Sequence, residues 1–269
     1  MQRVLRDGAF AGETHIVTGA AQGIGLRVAH ALAAHGARVA LVDLDPARLA
    51  AARDEIRPDA AEEPLVVPCN VTEEADVQRA VATAREAGGR VNGVVNVAGI
   101  TRDARIPKKS YEDFKLVVAV HLHGTFLFTR EVAAQDWHPR FKDAGNAPLR
   151  DGVNRFIVNF SSVSARNGNV GQIDYTAAKG AIESLTKTTA REFAGYGVRV
   201  NAIAPGPVNT PMLAAAGEQA VQAFKRATLL GKVAEPEDIA ATVLGMACPK
   251  ISGYTTGQIF AANGGLYLA

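Results

Sequence analysis

Short apolar runs rich in β-branched residues alternate along the chain with longer segments of helical period. The runs are Thr14–Thr18, Ala37–Val42, Pro64–Pro68, Gly93–Val97, Arg155–Phe160, Gly197–Ile203 and Gln258–Ala262. Each is nearly continuous in hydrophobic character, as for a strand buried on both faces; a sheet with one wet face would alternate. The helical segments are Ile24–His35, Pro46–Arg57, Glu73–Ala87 with Thr72 as its cap, a long segment from about Tyr111 to Trp137, Ile173–Tyr196 and Pro236–Ala247. Asp45-Pro46, Thr72-Glu73-Glu74 and Glu235-Pro236-Glu237-Asp238 supply helix starts, with a side-chain acceptor or a missing N–H in the first turn and acid near the positive end of the dipole. The pattern predicts one α/β domain over residues 1–269, a doubly wound parallel sheet of about seven strands with helices on both faces.

Two stretches break the rhythm. Residues 138–154 are polar and punctuated by proline and glycine. They lead into the N-terminal end of a strand, so they should face away from the sheet edge where ligands bind. A surface insertion is expected there, with an oligomer contact as the other reading. Residues 206–233 follow the C-terminal end of a strand and are placed to cover a ligand as a lid. Met212, Leu213, Phe224, Leu229 and Leu230 in that segment serve either to pack it on the core or to line an apolar substrate.

Composition narrows the partners. At 269 residues and 48% hydrophobic side chains, the chain can bury a continuous core with no disulfide or metal staple. Cys69 and Cys248 have no CxxC or Cys/His ligand spacing, so two free thiols and no metal are expected. Lys and Arg exceed Asp and Glu by 29 to 27 with no basic run, which does not suit nucleic acid. Met1 to Gly12 lacks the apolar core of a signal peptide, and no run is long enough to cross a membrane; a cytoplasmic location is expected. Glycine, 26 residues, is about 10% where about 7% is usual, and its excess gathers at particular turns.

The first such turn follows the first strand: Thr18-Gly19-Ala20-Ala21-Gln22-Gly23-Ile24-Gly25, then a helix. Strand, glycine turn and helix N-terminus together suit the pyrophosphate of a dinucleotide, because backbone N–H groups approach the anion closely. No Gly-Lys-Ser/Thr follows, which disfavours a nucleoside triphosphatase. Asp43 ends the second strand, where a carboxylate accepts both ribose hydroxyls of adenosine and repels a 2′-phosphate. That points to NAD over NADP; the alternative for Asp43 is a helix cap. Asn96, Ala98 and Gly99 end the fourth strand, where small residues leave room for a cofactor. Tyr175 and Lys179 share one helical face at i, i+4, an arrangement in which the ammonium lowers the phenol pKa toward the working range. Ser162, at the C-terminal end of the fifth strand, can donate to a substrate oxygen as charge develops.

Assembled, these motifs resemble the short-chain dehydrogenase/reductase family over essentially the whole chain. The matching residues are Thr18-Gly19-x-x-x-Gly23-Ile24-Gly25, Asn96-x-Ala98-Gly99, Ser162, Tyr175-x-x-x-Lys179 and Asn201-x-Ile203-x-Pro205-Gly206. The resemblance implies a Rossmann-like fold and hydride transfer with a nicotinamide cofactor. It implies Tyr175 as general acid/base, Ser162 orienting the carbonyl or alcohol, and Lys179 holding the nicotinamide ribose. Pro205, Gly206, Val208 and Thr210 would contact the cofactor beyond it.

Three positions depart from the family pattern. His121, in Val120-His121-Leu122, replaces the usual Asn, as in some (3R)-hydroxyacyl-CoA dehydrogenases; it is either a functional substitute or a packing residue. Asn70, followed by Val71, stands where Asp commonly meets the adenine amine. Gln22 replaces a basic residue frequent in NADP-dependent members. Ala98-Gly99-Ile100-Thr101-Arg102-Asp103 and Asn263-Gly264-Gly265 resemble the 3-oxoacyl-carrier-protein reductases. The implied substrate is a small molecule, an acyl thioester of CoA or carrier protein. Another apolar secondary alcohol, such as a steroid or terpene, is the alternative, and a non-catalytic dinucleotide-binding protein a third. A homotetramer with Ile173–Tyr196 and the C-terminal strand in its contacts is the family habit.

Overall fold

The computed structural model describes residues 8–268; the start of the Met1–Gly12 segment, on which the signal-peptide expectation rests, lies outside them. Seven parallel strands form one sheet: β1 (Thr14–Thr18), β2 (Arg38–Asp43), β3 (Leu65–Pro68), β4 (Gly93–Asn96), β5 (Phe156–Phe160), β6 (Arg199–Ile203) and β7 (Ile259–Phe260). Their spatial order is β3-β2-β1-β4-β5-β6-β7, so the winding direction reverses between β1 and β4 and opens a crevice at their C-terminal ends.

Alternation along each strand feeds two cores. Val17, Leu41, Val95 and Val158 join one with α1 (Gly23–Ala34), α2 (Pro46–Ile56) and, later in the chain, the helix over residues 236–247. Their neighbours Ile16, Val42, Val94 and Ile157 join the other, with α3 (Glu74–Gly88) and the helices over residues 111–137 and 173–192. Every position of β1, β4 and β5 is buried, which is why these runs read as unbroken hydrophobic sequence.

The helices mostly begin where local chemistry puts them. Asp45 caps α2, accepting the N–H groups of Ala47 and Arg48 at 2.9 and 3.2 Å. Thr72 does not cap α3: its hydroxyl donates to Asn70 at 2.8 Å, and Glu73 takes the cap position. The long segment expected from Tyr111 to Trp137 is α4 (Tyr111–Val118) and α5 (Gly124–Val132) joined by a wide π-type turn over Ala119–His123. A second wide turn, Ala133–Trp137, carries the helix on into α6 (His138–Asp143). The stretch beginning at His138 is therefore helical at first. The continuation carries Phe141 onto Tyr196, with ring centroids 5.2 Å apart, and an irregular segment then runs back to β5 at the sheet's N-terminal edge. Beyond β5 come α7 (Ser164–Asn167) and α8 (Ile173–Glu192); after β6, α9 (Pro211–Ala214) and α10 (Glu218–Ala227); then α11 (Pro236–Ala247) and α12 (Pro249–Ser252). β7 is shorter than the expected run because Ala262 turns back on Phe260, its N–H reaching that carbonyl at 3.1 Å.

Trp137, fully buried, closes the helix run onto the sheet by donating Nε1–H to the Val91 carbonyl at 2.9 Å. Trp137→Phe leaves that carbonyl without this donor and is expected to cost about 1–3 kcal/mol in urea unfolding followed by circular dichroism.

Candidate active site

The crevice between β1 and β4 holds the glycine turn. An added Cβ at Gly25 would lie 2.0 Å from the Gly19 carbonyl oxygen, so α1 seats on the turn more closely than any side chain permits. Gln22, at the helix N-cap, makes no side-chain bond to the first turn; the N–H groups of Gly23, Ile24 and Gly25 there suit an anion. Thr18 Oγ1 accepts the N–H groups of Val97 and Ala98 at 3.0 and 3.1 Å, tying the exit of β4 to the turn. Sequence reasoning missed that role for Thr18; its place at the end of β1 was the available signal.

At the end of β2, the Asp43 carboxylate accepts the N–H groups of Ala21 and Leu44 at 3.2 and 2.7 Å. Asp45 is the cap of α2, so the alternative reading of Asp43 as a helix cap does not hold. Gln22 is exposed, and its amide oxygen meets Arg48 at 3.3 Å. Asn70 Oδ1 turns to its own loop, accepting from Thr72 N–H and Oγ1–H at 3.1 and 2.8 Å. Val71 beside it is buried. Asn96 is buried at the end of β4; its amide N–H bonds Asn159 at 2.9 Å, while its own Oδ1 meets no protein donor. On the far side of the crevice, Pro205 accepts the N–H of Val163 and Gly206 donates to Ala262, both at 3.0 Å. Val208 is buried, and Thr210 caps α9 while its methyl lies 3.5 Å from where a Cβ of Gly23 would be. The root of the 206–233 segment thus overhangs the turn, while α10 within it buries no residue. A concave run of backbone donors, a carboxylate at one end and an unpartnered buried amide oxygen fit a dinucleotide.

Ser162, Tyr175, Lys179 and His121 converge beside this crevice. Ser162 Oγ accepts the N–H of Ser164 at 3.1 Å, which leaves its proton free for the neighbouring Tyr175 phenol. Burial raises the Tyr175 pKa; the nearby Ser162 hydroxyl acts against that rise and the charge of Asp103 adds to it. Asp103 was another residue missed, because only the fold brings its loop to Tyr175. Lys179 is buried, its Nζ donates to the Phe160 carbonyl at 2.6 Å, and it lies 5.6 Å from the centroid of the Tyr175 ring. Burial pushes the Lys179 pKa down to about 7. The amine is engaged by a carbonyl, and burial rather than Lys179 sets the direction at the phenol.

His121 sits in the wide turn between α4 and α5. Its Nε2 lies 2.8 Å from the Ile100 carbonyl, its ring meets Tyr175 edge-on at 5.0 Å, and a Cβ at Gly99 would fall 2.2 Å from its Cε1. Burial, then Lys179, hold its pKa well below the ordinary value. Nε2 also lies 3.1 Å from the Ile100 N–H, so in either neutral tautomer the ring bonds the Ile100 backbone, splices the helix turn to the loop after β4 and borders Tyr175.

A family described as enoyl-(acyl carrier protein) reductase matches residues 19–267. The chain is 33% identical over 260 residues to a 3-oxoacyl-[acyl-carrier-protein] reductase of Aquifex aeolicus, covering 95% of this chain and 98% of that one. It is 36% identical over 264 residues to a (3R)-3-hydroxyacyl-CoA dehydrogenase of Mus musculus, with 94% and 95% covered. A short-chain type dehydrogenase/reductase from Mycobacterium marinum superposes with a TM-score of 0.87 at 26% identity, covering 99% of this chain and all of that one. The protein belongs to the short-chain dehydrogenase/reductase family and is an oxidoreductase.

The buried lysine makes a signed prediction. With a folded pKa of about 7 against about 10.4 for an unfolded chain, the unfolded state binds more protons between those values, so this group's destabilising effect is full below pH 7 and fades as pH rises. Lys179→Met is expected to raise the melting temperature of the cofactor-free protein more at pH 7 than at pH 10.

Proposed function

We propose that the protein is an NAD(H)-dependent oxidoreductase that interconverts 3-hydroxyacyl and 3-oxoacyl thioesters. The observation that carries the chemistry is the convergence of Ser162, the Tyr175 phenol, buried Lys179 and the dinucleotide crevice at one sheet edge. Bound nicotinamide supplies or accepts the hydride. In reduction, Ser162 donates a hydrogen bond to the ketone oxygen and Tyr175 Oη delivers the proton to that oxygen as the carbonyl carbon gains hydride. Oxidation runs the same transfers backward, the alcohol proton passing to Tyr175. The upward pKa direction at Tyr175 keeps the phenol protonated at neutral pH, the form that reduction requires.

Lys179 is placed to hold a nicotinamide ribose, with Pro205, Gly206, Val208 and Thr210 beyond it; Gly19, Gly23, Ile24 and Gly25 would receive the pyrophosphate, and Asn96, Ala98 and Gly99 would flank the cofactor. Asp43 supports NAD, since its carboxylate beside the turn repels a 2′-phosphate. Asn70 and Val71 would flank the adenine. The thioester reading draws on the names of the two relatives above and on the Thr101-Arg102-Asp103 loop. We read His121 as a positioning residue for Tyr175. Exposed Leu116 and Phe126 on α4–α5 and Ile173 on α8 support assembly as a homotetramer through these helices.

Tyr175→Phe is expected to lower turnover of a 3-oxoacyl thioester roughly 10²–10⁴-fold with cofactor affinity nearly unchanged, and retained turnover defeats the mechanism. Across a panel of thioesters and other secondary alcohols followed by NADH absorbance, the thioesters should give the highest kcat/KM. NAD+ should bind more than about tenfold tighter than NADP+ by calorimetry, with the gap narrowing in Asp43→Ser.

A further inference from the structure

Among the described residues, Lys109 and Asp174 form the one ion pair with both side chains buried, 5% and 1% exposed, with Nζ 2.8 Å from Oδ2. Stability does not account for such a pair: removing both charges from water costs several kcal/mol per ion, and apolar replacements often do as well. Its location is more informative. Asp174 lies in the first turn of α8, and its other oxygen accepts the backbone N–H of Tyr175 at 2.9 Å. Lys109 ends the loop that runs from Ile100 to the Ser110 cap of α4, and its Nζ also donates to the Arg102 carbonyl of that loop. Two more contacts lace the same loop to the start of α8: Ala104 N–H to the Gly171 carbonyl at 2.9 Å, and Gln172 Nε2–H to Asp103 at 3.0 Å. The loop's first residue is the one that His121 holds.

We propose that Lys109 and Asp174 are positioning residues for Tyr175: the pair pins the first turn of α8 through the Tyr175 backbone and, being neutral as a unit, adds no net charge beside the phenol. The inference rests on the reading of Tyr175 as the acid/base. The other groups that face Tyr175 are Lys179, His121 and Ser162 from three elements, and Asp103 from the loop. Lys109 and Asp174 cancel only while both are present. Loss of the cation leaves a buried carboxylate, which disfavours the phenolate; loss of the carboxylate leaves a buried ammonium, which favours it.

The test titrates phenolate absorbance in the cofactor-free protein, subtracting the same titration in a Tyr175→Phe background so that Tyr175 alone is read. Lys109→Met should move the midpoint up by roughly one pH unit, and should lower kcat about tenfold with KM changed less than about twofold. Asp174→Asn should move the midpoint down, and the Lys109→Met/Asp174→Asn double variant should return close to the parent. Midpoints unmoved in both single variants, moved in the same direction, or unrestored in the double variant overturn the proposal. If Lys109→Met does not fold, the downward shift in Asp174→Asn and its reversal in the double variant decide. Full activity in Tyr175→Phe would defeat the functional reading instead, and the midpoints would still report on the pair.

Discussion

Parallel strands have to end on the same side, and a parallel sheet buried on both faces can meet a ligand only there. The rest of this structure depends on how closely its backbones approach one another at that edge. Gly25 seats α1 against the Gly19 carbonyl, and Thr18 draws the exit of β4 onto the same turn. Beyond β4, the space that a Gly99 side chain would fill is taken by His121, which in turn borders Tyr175. The crevice and the Tyr175 phenol are thus connected by a chain of contacts between the ends of β1 and β4 and the start of α8. A side chain at either glycine would separate parts that have to touch.

Burial sets the electrostatics of this chain of contacts. Desolvation lowers the pKa of Lys179 and of His121 and raises that of Tyr175; in each case it disfavours the charged form. The outcome is a site whose three ionisable groups lean toward neutrality without cofactor. Backbone groups then orient two of them rather than charge them: Phe160 for Lys179 and Ile100 for His121. Charge enters at the margins, with Asp43 beside the glycine turn and Asp103 acting on Tyr175. The family match and this geometry agree on oxidoreductase chemistry.

The seven strands were legible because each is apolar on both faces, and the α2 start because Asp45-Pro46 caps by local bonds alone. Element boundaries were less so. Thr72 was expected to cap α3 by accepting an N–H, yet the helix starts one residue later, with Glu73 at the cap position and the Thr72 hydroxyl donating to Asn70. The polar stretch from His138 reads as loop, but its first six residues are helical, where Phe141 meets Tyr196, 55 positions later in the sequence.

The class of fold, the glycine turn, the place of Asp43 at a strand end and the shared face of Tyr175 and Lys179 follow from periodicity or from spacing within one element. That His121 is a neutral splice to Ile100, that Lys179 is held by a carbonyl of β5 and that Lys109 meets Asp174 across 65 residues came only with the folded chain. Those facts depend on which segments the sheet brings together and on how far water is excluded between them. Neither quantity is a property of any local stretch of chain.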